Sequence, residues 1–284
     1  MNKKFKQRMK YVSTVLLLLA VCLLFTGCAS SEWVYDPITD VNNLEGRRVG
    51  VNLAWESDYY LDGRKDMELV RYDTTSDMIM ALKYDKIDAI ALDIDTLKLI
   101  FCVSDGIELI EPAFGEVGSI MYFGSDDESL TEEFNQYLDE FKKTDEYEDL
   151  LNRMDEYNGF EFFDADIPLT GEGKTIHVAV DPEEYPRAFL YPGEDIPVGY
   201  DLEILKHFAN DNNYQLEFYF STYLDSLMGL QTGSYDIMTG YLSDVYAPEV
   251  RRAGLYTCEP MYEFPLYFIQ KNSEDMTSDM GELE

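Results

Sequence analysis

The chain is short of positive charge. Its 284 residues carry 22 Lys and Arg against 56 Asp and Glu, a formal charge of -34, and only two histidines, His177 and His207. A surface of that sign repels phosphate backbones and anionic lipid, which argues against nucleic acid as a partner and against adhesion flat on a membrane. Cysteine is scarce too, with four residues at positions 22, 28, 102 and 258. No Cys/His pair has the spacing of a metal site, and neither metal nor cofactor is implied. Cys102 and Cys258 sit in the apolar stretches "LIFCVSD" and "LYTCEP". They read as two small buried hydrophobes, with a disulfide between them as the alternative. The main apolar run, residues 12–25, is too short for a comfortable membrane span.

That run belongs to the opening "MNKKFKQRMKYVSTVLLLLAVCLLFTGCASS". Lys3, Lys4, Lys6, Arg8 and Lys10 form a basic head before it, and Cys28 follows it. This is the layout of an export signal. The junction "FTGCAS" resembles a bacterial lipoprotein cleavage site, with Phe25 where Leu is usual. The resemblance implies loss of residues 1–27, lipidation of Cys28 by several acyl chains, and tethering at the outer face of the cytoplasmic membrane. Losing residues 1–27 removes five of the 22 basic residues and no acidic one. What remains has 17 basic and 56 acidic residues, a formal charge of -39.

The rest divides by composition into a linker (28–43), a unit over 44–157, a second linker (158–173), a unit over 174–271, and a tail (272–284). Within the first unit, "RRVGVNL", "MELVRYD" and "IDAIALD" read as buried strands. "TSDMIMALKYDK" reads as a helix capped by Thr74 or Thr75. "GIELIEP" and "GSIMYFGSD" read as two further short strands. The stretch 130–157 is an amphipathic helix or helix pair with Leu130, Phe134, Leu138 and Phe141 on one stripe and Thr131 as its cap. The second unit repeats the grammar. "TIHVAVD", "YQLEFYF" and "SYDIMTG" read as strands, 199–212 and 223–233 as helices, and "YEFPLYFIQK" as an extended aromatic segment. Apolar strands that do not alternate argue for mostly parallel sheets covered on both faces. The expected fold class is α/β, with two lobes and a cleft between them.

The ordered set of these segments resembles the extracellular solute-binding proteins of amino-acid uptake systems, the polar amino-acid-binding family. The second unit, "HVAVDPEEYPRAFLYPGEDIPVGYDLEILKHFANDNNYQLEFYFSTYLDSLMGLQTGSYDIMTG", follows that family's first lobe through its "Y-P-P-F", "G-x-D-x-D" and "L-x-x-G-x-x-D" patterns. The first unit, with "LEGRRVGVNLAWESDYY", "MIMALKYDKIDAIALDIDTLK" and "SLTEEFNQYLDEFKKTDEYEDLLNRM", is similar to its second lobe. The resemblance implies a periplasmic-binding-protein type II fold, with two lobes hinged by two strands. The lobes stand here in reversed order. Either the chain is a permuted relative, or it is the first piece of a longer protein. The final "MGELE" is similar to the start of "LEGRRVGV", and the second reading is the expectation.

In that family an Arg holds the α-carboxylate of a free amino acid, an Asp holds its ammonium, and aromatic rings cover the side chain. By resemblance, Arg251 takes the first role and Asp93 the second. Asp93 could instead cap the helix that follows it, a job Asp95 could share. Tyr223 and Tyr185 match the covering rings, and Asp181 could meet a cationic side chain. Thr239 retains a hydroxyl where the family has small donors. The main departure is the turn "NLAWES", which sets Ala54, Trp55 and Glu56 where the family binds a carboxylate. Trp55 fills that space and Glu56 repels an anion, so an unusual ligand is expected: a peptide, a polyamine-like cation or an aromatic, with the overall charge favouring a cation. The partners implied are a small solute, the membrane through a lipid anchor, and an ABC permease or membrane sensor, with the chain a monomer. No catalysis is expected. A dehydratase-type enzyme would need Glu56 or Asp181 as its acid, and a lobe that has lost its ligand is the other alternative.

Overall fold

The computed structural model describes residues 36–159, 165, 167–181, 183–240 and 243–272. The leader with Cys28, and the tail from 273 on, lie outside the described residues. From Ile38 onward the described chain forms a single unit built on two five-stranded sheets.

The first sheet takes β1 (Arg47–Asn52), β2 (Met67–Tyr72), β3 (Ala89–Asp93), β4 (Ile107–Ser119) and β12 (Tyr262–Lys271), in the order β2-β1-β3-β12-β4. The second takes β5 (Tyr122–Phe123), β6 (Thr175–Val180), β9 (Gln215–Phe220), β10 (Ile237–Thr239) and β11 (Tyr256–Thr257), in the order β11-β5-β10-β6-β9. A short hairpin of β7 (Glu183–Glu184) and β8 (Ala188–Phe189) stands apart. Strands β3 and β10 are buried along their whole length, as an apolar run without alternation requires: all five residues of "AIALD" are buried. Both sheets have the same order, with one strand supplied from across the hinge. This is a two-lobed α/β architecture, with a mixed sheet flanked by helices in each lobe.

The sheets are mixed and not mostly parallel. In the first, β2, β1 and β3 run parallel and β12 and β4 run against their neighbours. In the second, β9, β6 and β10 run parallel and β5 and β11 run against theirs. The cause is the hinge. β4 and β12 form one antiparallel ladder from Ser119 opposite Tyr262 to Ile107 opposite Lys271. The chain crosses out of the first lobe through Ser119–Tyr122 and returns through Thr257–Tyr262, so each inserted strand arrives from the opposite side.

The helices are α1 (Glu56–Leu61), α2 (Thr75–Lys83), α3 (Ile94–Val103), α4 (Glu128–Phe141), α5 (Asp145–Glu156), α6 (Tyr200–Asp211), α7 (Tyr223–Thr232) and α8 (Ala247–Arg252). Thr74 caps α2 by accepting from the Asp77 N–H. Thr131 is not a cap: α4 begins a turn earlier, and the Thr131 hydroxyl donates to the Asp127 carbonyl. The stripe Leu130, Phe134, Leu138 and Phe141 is buried. Phe134 packs between Phe123 and Phe208, rings 5.6 and 5.1 Å away. Those partners belong to the second lobe, so the segment 44–157 is divided in space at Ser119, and α4 and α5 cover the sheet that follows.

One glycine fixes the approach to the cleft. Gly199, just before α6, has φ +136°, and a Cβ there would lie 2.1 Å from the Arg187 carbonyl oxygen. That carbonyl accepts from the Asp201 N–H at 3.1 Å. The backbone at Arg187 is thereby seated on the first turn of α6.

Candidate interlobe binding site

Strand β3 ends at its carboxyl edge in Asp93, the position where open α/β sheets gather ligands. One oxygen of Asp93 caps α3, accepting from the N–H groups of Asp95 and Thr96 at 3.0 and 3.1 Å. The other, Oδ2, is buried and has no hydrogen-bond partner among the described residues.

The cation beside these acids is Arg187. Its side chain, 0 % exposed, reaches from the β7–β8 hairpin of the second lobe to the first. Nε and Nη2 donate to Asp95 Oδ2 at 3.2 and 2.9 Å, and Nη2 lies 3.8 Å from Asp93 Oδ1. The guanidinium carbon sits 3.6 Å from the centroid of Phe264, a hinge-strand ring, in a cation–π contact. Asp201, in the first turn of α6, accepts from Ser119 Oγ at 3.0 Å and from the Tyr262 hydroxyl at 2.6 Å. Ser119 and Tyr262 are paired across the hinge, so the same network reaches both crossings.

The charges do not balance. Glu56, Asp93, Asp95 and Asp201 are all buried around one guanidinium. Burial, the largest effect, pushes the Asp95 and Asp201 carboxyls up, and Arg187 opposes it. Burial and the neighbouring Asp93 push Glu56 up to about 7. Glu56 is 3 % exposed and makes no ion pair with a described residue. It opens α1, one turn before Tyr59, whose ring meets that of Tyr246 edge-on at 5.0 Å. The Tyr246 hydroxyl donates to the Ala54 carbonyl at 2.9 Å, so the second lobe touches the first here. Ala54 itself is held at φ +63°, with its N–H donating to Asp58.

The residues singled out in the sequence are distributed as follows. Thr239 ends β10 fully buried, and its hydroxyl has no partner among the described residues. Asp181 follows β6, and its carbonyl and the Glu184 side chain line the space over Gly240. Tyr185 packs on Phe189 and Tyr157, rings 4.6 and 5.7 Å away. Tyr223 opens α7, partly exposed, beside the phenol of Tyr122. Trp55 precedes α1 and is 39 % exposed. Arg251 is exposed on α8 and donates to Thr257 Oγ1 at 3.2 and 2.9 Å. No ion pair or hydrogen bond joins Arg251 to Asp93 among the described residues; the last turn of α8 directs its guanidinium to β11.

Cys102 and Cys258 are free thiols; Cys258 is buried, whereas Cys102 is partly exposed with its Sγ 2.9 Å from the Asn158 carbonyl. Among the described residues no group of three or more His, Cys, Asp or Glu could hold a metal ion, and no helix is long and apolar enough to cross a membrane. Spacing alone did not single out Arg187. Its signal was isolation: between Lys174 and Lys206 it is the only Lys or Arg, in a stretch rich in acids.

No family model matches the chain. A stretch of 124 residues, 42% of the chain, is 28% identical to the probable histidine-binding protein of Campylobacter jejuni. It covers 48% of that protein, so the chain spans about half the length of the curated relative it matches. Among solved structures, the chain is similar to the ligand-binding component of an ABC-type import system from Staphylococcus aureus, with zinc bound (TM-score 0.42, 11% identity, 84% of this chain and 70% of that one). It is similar also to the periplasmic aliphatic sulphonate-binding protein SsuA from Escherichia coli (0.42, 11%, 84% and 66%).

Two outcomes are expected from the charge arrangement. Arg187→Met leaves Asp95 buried without its cation and lowers unfolding stability by about 3–5 kcal/mol, measured by urea denaturation at pH 7. Glu56 binds its proton more tightly folded than unfolded, because its folded pKa, about 7, stands above the ordinary 4.5. The contribution of Glu56 to stability is therefore full below 4.5 and is lost as pH rises to about 7. Glu56→Gln removes this share of the decline, on the order of 3 kcal/mol, in denaturation curves at pH 5 and pH 8.

Proposed function

We propose that the chain is a lipid-anchored extracellular solute-binding protein that holds a small cationic solute, an amino acid or related amine, between its lobes and presents it to an ABC-type importer. One observation carries this reading: among the described residues the buried carboxyl of Glu56 makes no ion pair, and the buried Oδ2 of Asp93 has no hydrogen-bond partner, with Arg187 3.8 Å from its other oxygen. A buried anionic oxygen is costly unless a cation or donor meets it. A solute ammonium meets that need, with Asp93 as its partner and the Thr239 hydroxyl as a further polar contact. The identity shared with a probable histidine-binding protein supports the same class. Capture requires the Tyr246–Ala54 contact to part, and the two crossings at Ser119–Tyr122 and Thr257–Tyr262 supply the hinge. Arg251, exposed and bonded to Thr257, needs that opening and a new rotamer to serve as a carboxylate partner. Anchoring falls to Cys28.

A second reading has its own support. Arg187 already meets Asp95 and closes the lobes with a cation of the chain itself, as a sensory or structural lobe without a transported ligand would.

Thermal unfolding of the chain from Cys28 on, against His, Arg, Lys, putrescine, Glu and Asp, separates the two. The transport reading expects the cations to raise Tm, with about 2.7 kcal/mol gained at a hundredfold excess over Kd, and Asp93→Asn to remove that shift. No shift with any cation supports the second reading. In cells, Cys28→Ser is expected to move the protein from the membrane fraction to the medium; retention at the membrane would refute the anchor.

A further inference from the structure

We infer that α3 of the first lobe is a latch: the second lobe grips it along one face, and the lobes stay together without a solute until that face is released. The latch consists of contacts within the chain, so it stands apart from the solute-binding reading.

Asp95, Lys98 and Cys102 lie at i, i+3 and i+7 on α3 and share one side of it. Leu97 and Ile100 take the side packed on the first sheet. Each of the three meets the second lobe. Asp95 accepts from Arg187 Nη2 at 2.9 Å. Lys98 Nζ donates to the Met154 carbonyl at 3.1 Å and lies 3.5 Å from that of Asp155. Cys102 Sγ lies 2.9 Å from the Asn158 carbonyl oxygen. Residues 154–159 thus run along α3 as a strap. The strap belongs to the second lobe: Leu150, one turn earlier, is part of that lobe's core, and Arg153 Nη1 donates to Glu203 of α6 at 3.0 Å.

Two features fit the strap to α3. Met154 and Asp155 carry carbonyls of the last turn of α5, which the helix itself leaves without N–H partners. Lys98 comes from the other lobe with the cation that such a helix end attracts. Gly159 is the second feature. A Cβ there would lie 2.5 Å from the Lys98 carbonyl oxygen and 2.6 Å from Cys102 Sγ, and its φ is +94°. Only a residue without a side chain seats the strap so closely. Buried Tyr157 lies between these points, its ring 5.6 Å from Lys98 Nζ and 5.7 Å from the ring of Tyr185, two residues before Arg187. The grip is therefore continuous from Cys102 to Asp95.

Cys102, partly exposed beneath the strap, is the reporter, and buried Cys258 is its internal control. The experiment follows maleimide labelling and small-angle X-ray scattering of the chain from Cys28 on, carrying Cys28→Ser, with no solute added. Lys98→Met removes the cation, and Gly159→Ala wedges the strap from the other side. Each is expected to speed labelling of Cys102 by about tenfold, the weight of a charge-assisted hydrogen bond, and to raise the radius of gyration, with Cys258 unreactive throughout. Lys98→Arg, which keeps the cation, is expected to stay near the unaltered chain in both. Faster labelling at an unchanged radius means that the strap frays alone, and overturns the latch. So does no change in either quantity. Cys258 becoming reactive along with Cys102 in both variants overturns it too, because the contacts then hold the fold and not the lobes. A solute's failure to raise Tm leaves these outcomes untouched, so the latch and the solute-binding reading fail separately.

Discussion

Arg187 is the side chain on which the arrangement between the lobes depends. A guanidinium withdrawn from water needs compensating neighbours, and here they come from parts of the chain that are remote in sequence: Asp95 of the first lobe, Phe264 of the hinge strand, and the charge of Asp201 at the start of α6. The arginine therefore does for the lobes what no surface ion pair could do. Its bonds to Asp95 are geometrically exacting, and losing them exposes a buried charge without compensation. The same demand explains Gly199. A side chain there would collide with the Arg187 carbonyl, so the hairpin that delivers the guanidinium could not seat on α6.

One cation among four buried carboxylates leaves the interlobe face acidic, and the unequal environments of those carboxylates give them different tasks. Asp201 is tied to both crossings through Ser119 and Tyr262 and belongs to the hinge. Asp95 belongs to Arg187. Glu56 makes no ion pair among the described residues, and one oxygen each of Asp93 and Asp201 has no hydrogen-bond partner there.

The strands were legible because burial on both faces leaves a simple trace: "TIHVAV", "AIALD" and "YEFPLYFIQK" begin or end within two residues of where apolar runs put them. Sheet direction was not legible, since β5 and β12 join their sheets through contacts far apart in sequence. Nor was the division of 44–157, because the Phe134 stripe says that α4 is covered, not by which sheet. The candidate site was legible only as a set of expected residues. Asp93 came from its spacing along a family motif, and the structure adds that it ends a buried strand. Arg251 followed from counting along a motif, and a count does not encode which way a guanidinium turns at the end of a short helix. Glu56 was legible as an oddity, an acid where an anion was expected to bind; its near-complete burial was not.

Asp93 shows why the bland and the functional readings of a residue need not compete. A carboxylate has two oxygens and about four acceptor sites. The cap of α3 uses one oxygen and holds the side chain in a single rotamer. The other oxygen is then aimed by the helix itself, with no further loss of side-chain freedom on meeting a donor. A cap so used is a means of preorganisation. The residue that stabilises α3 is the one whose remaining lone pairs are fixed at the carboxyl edge of the sheet, where a solute held between the lobes would find them.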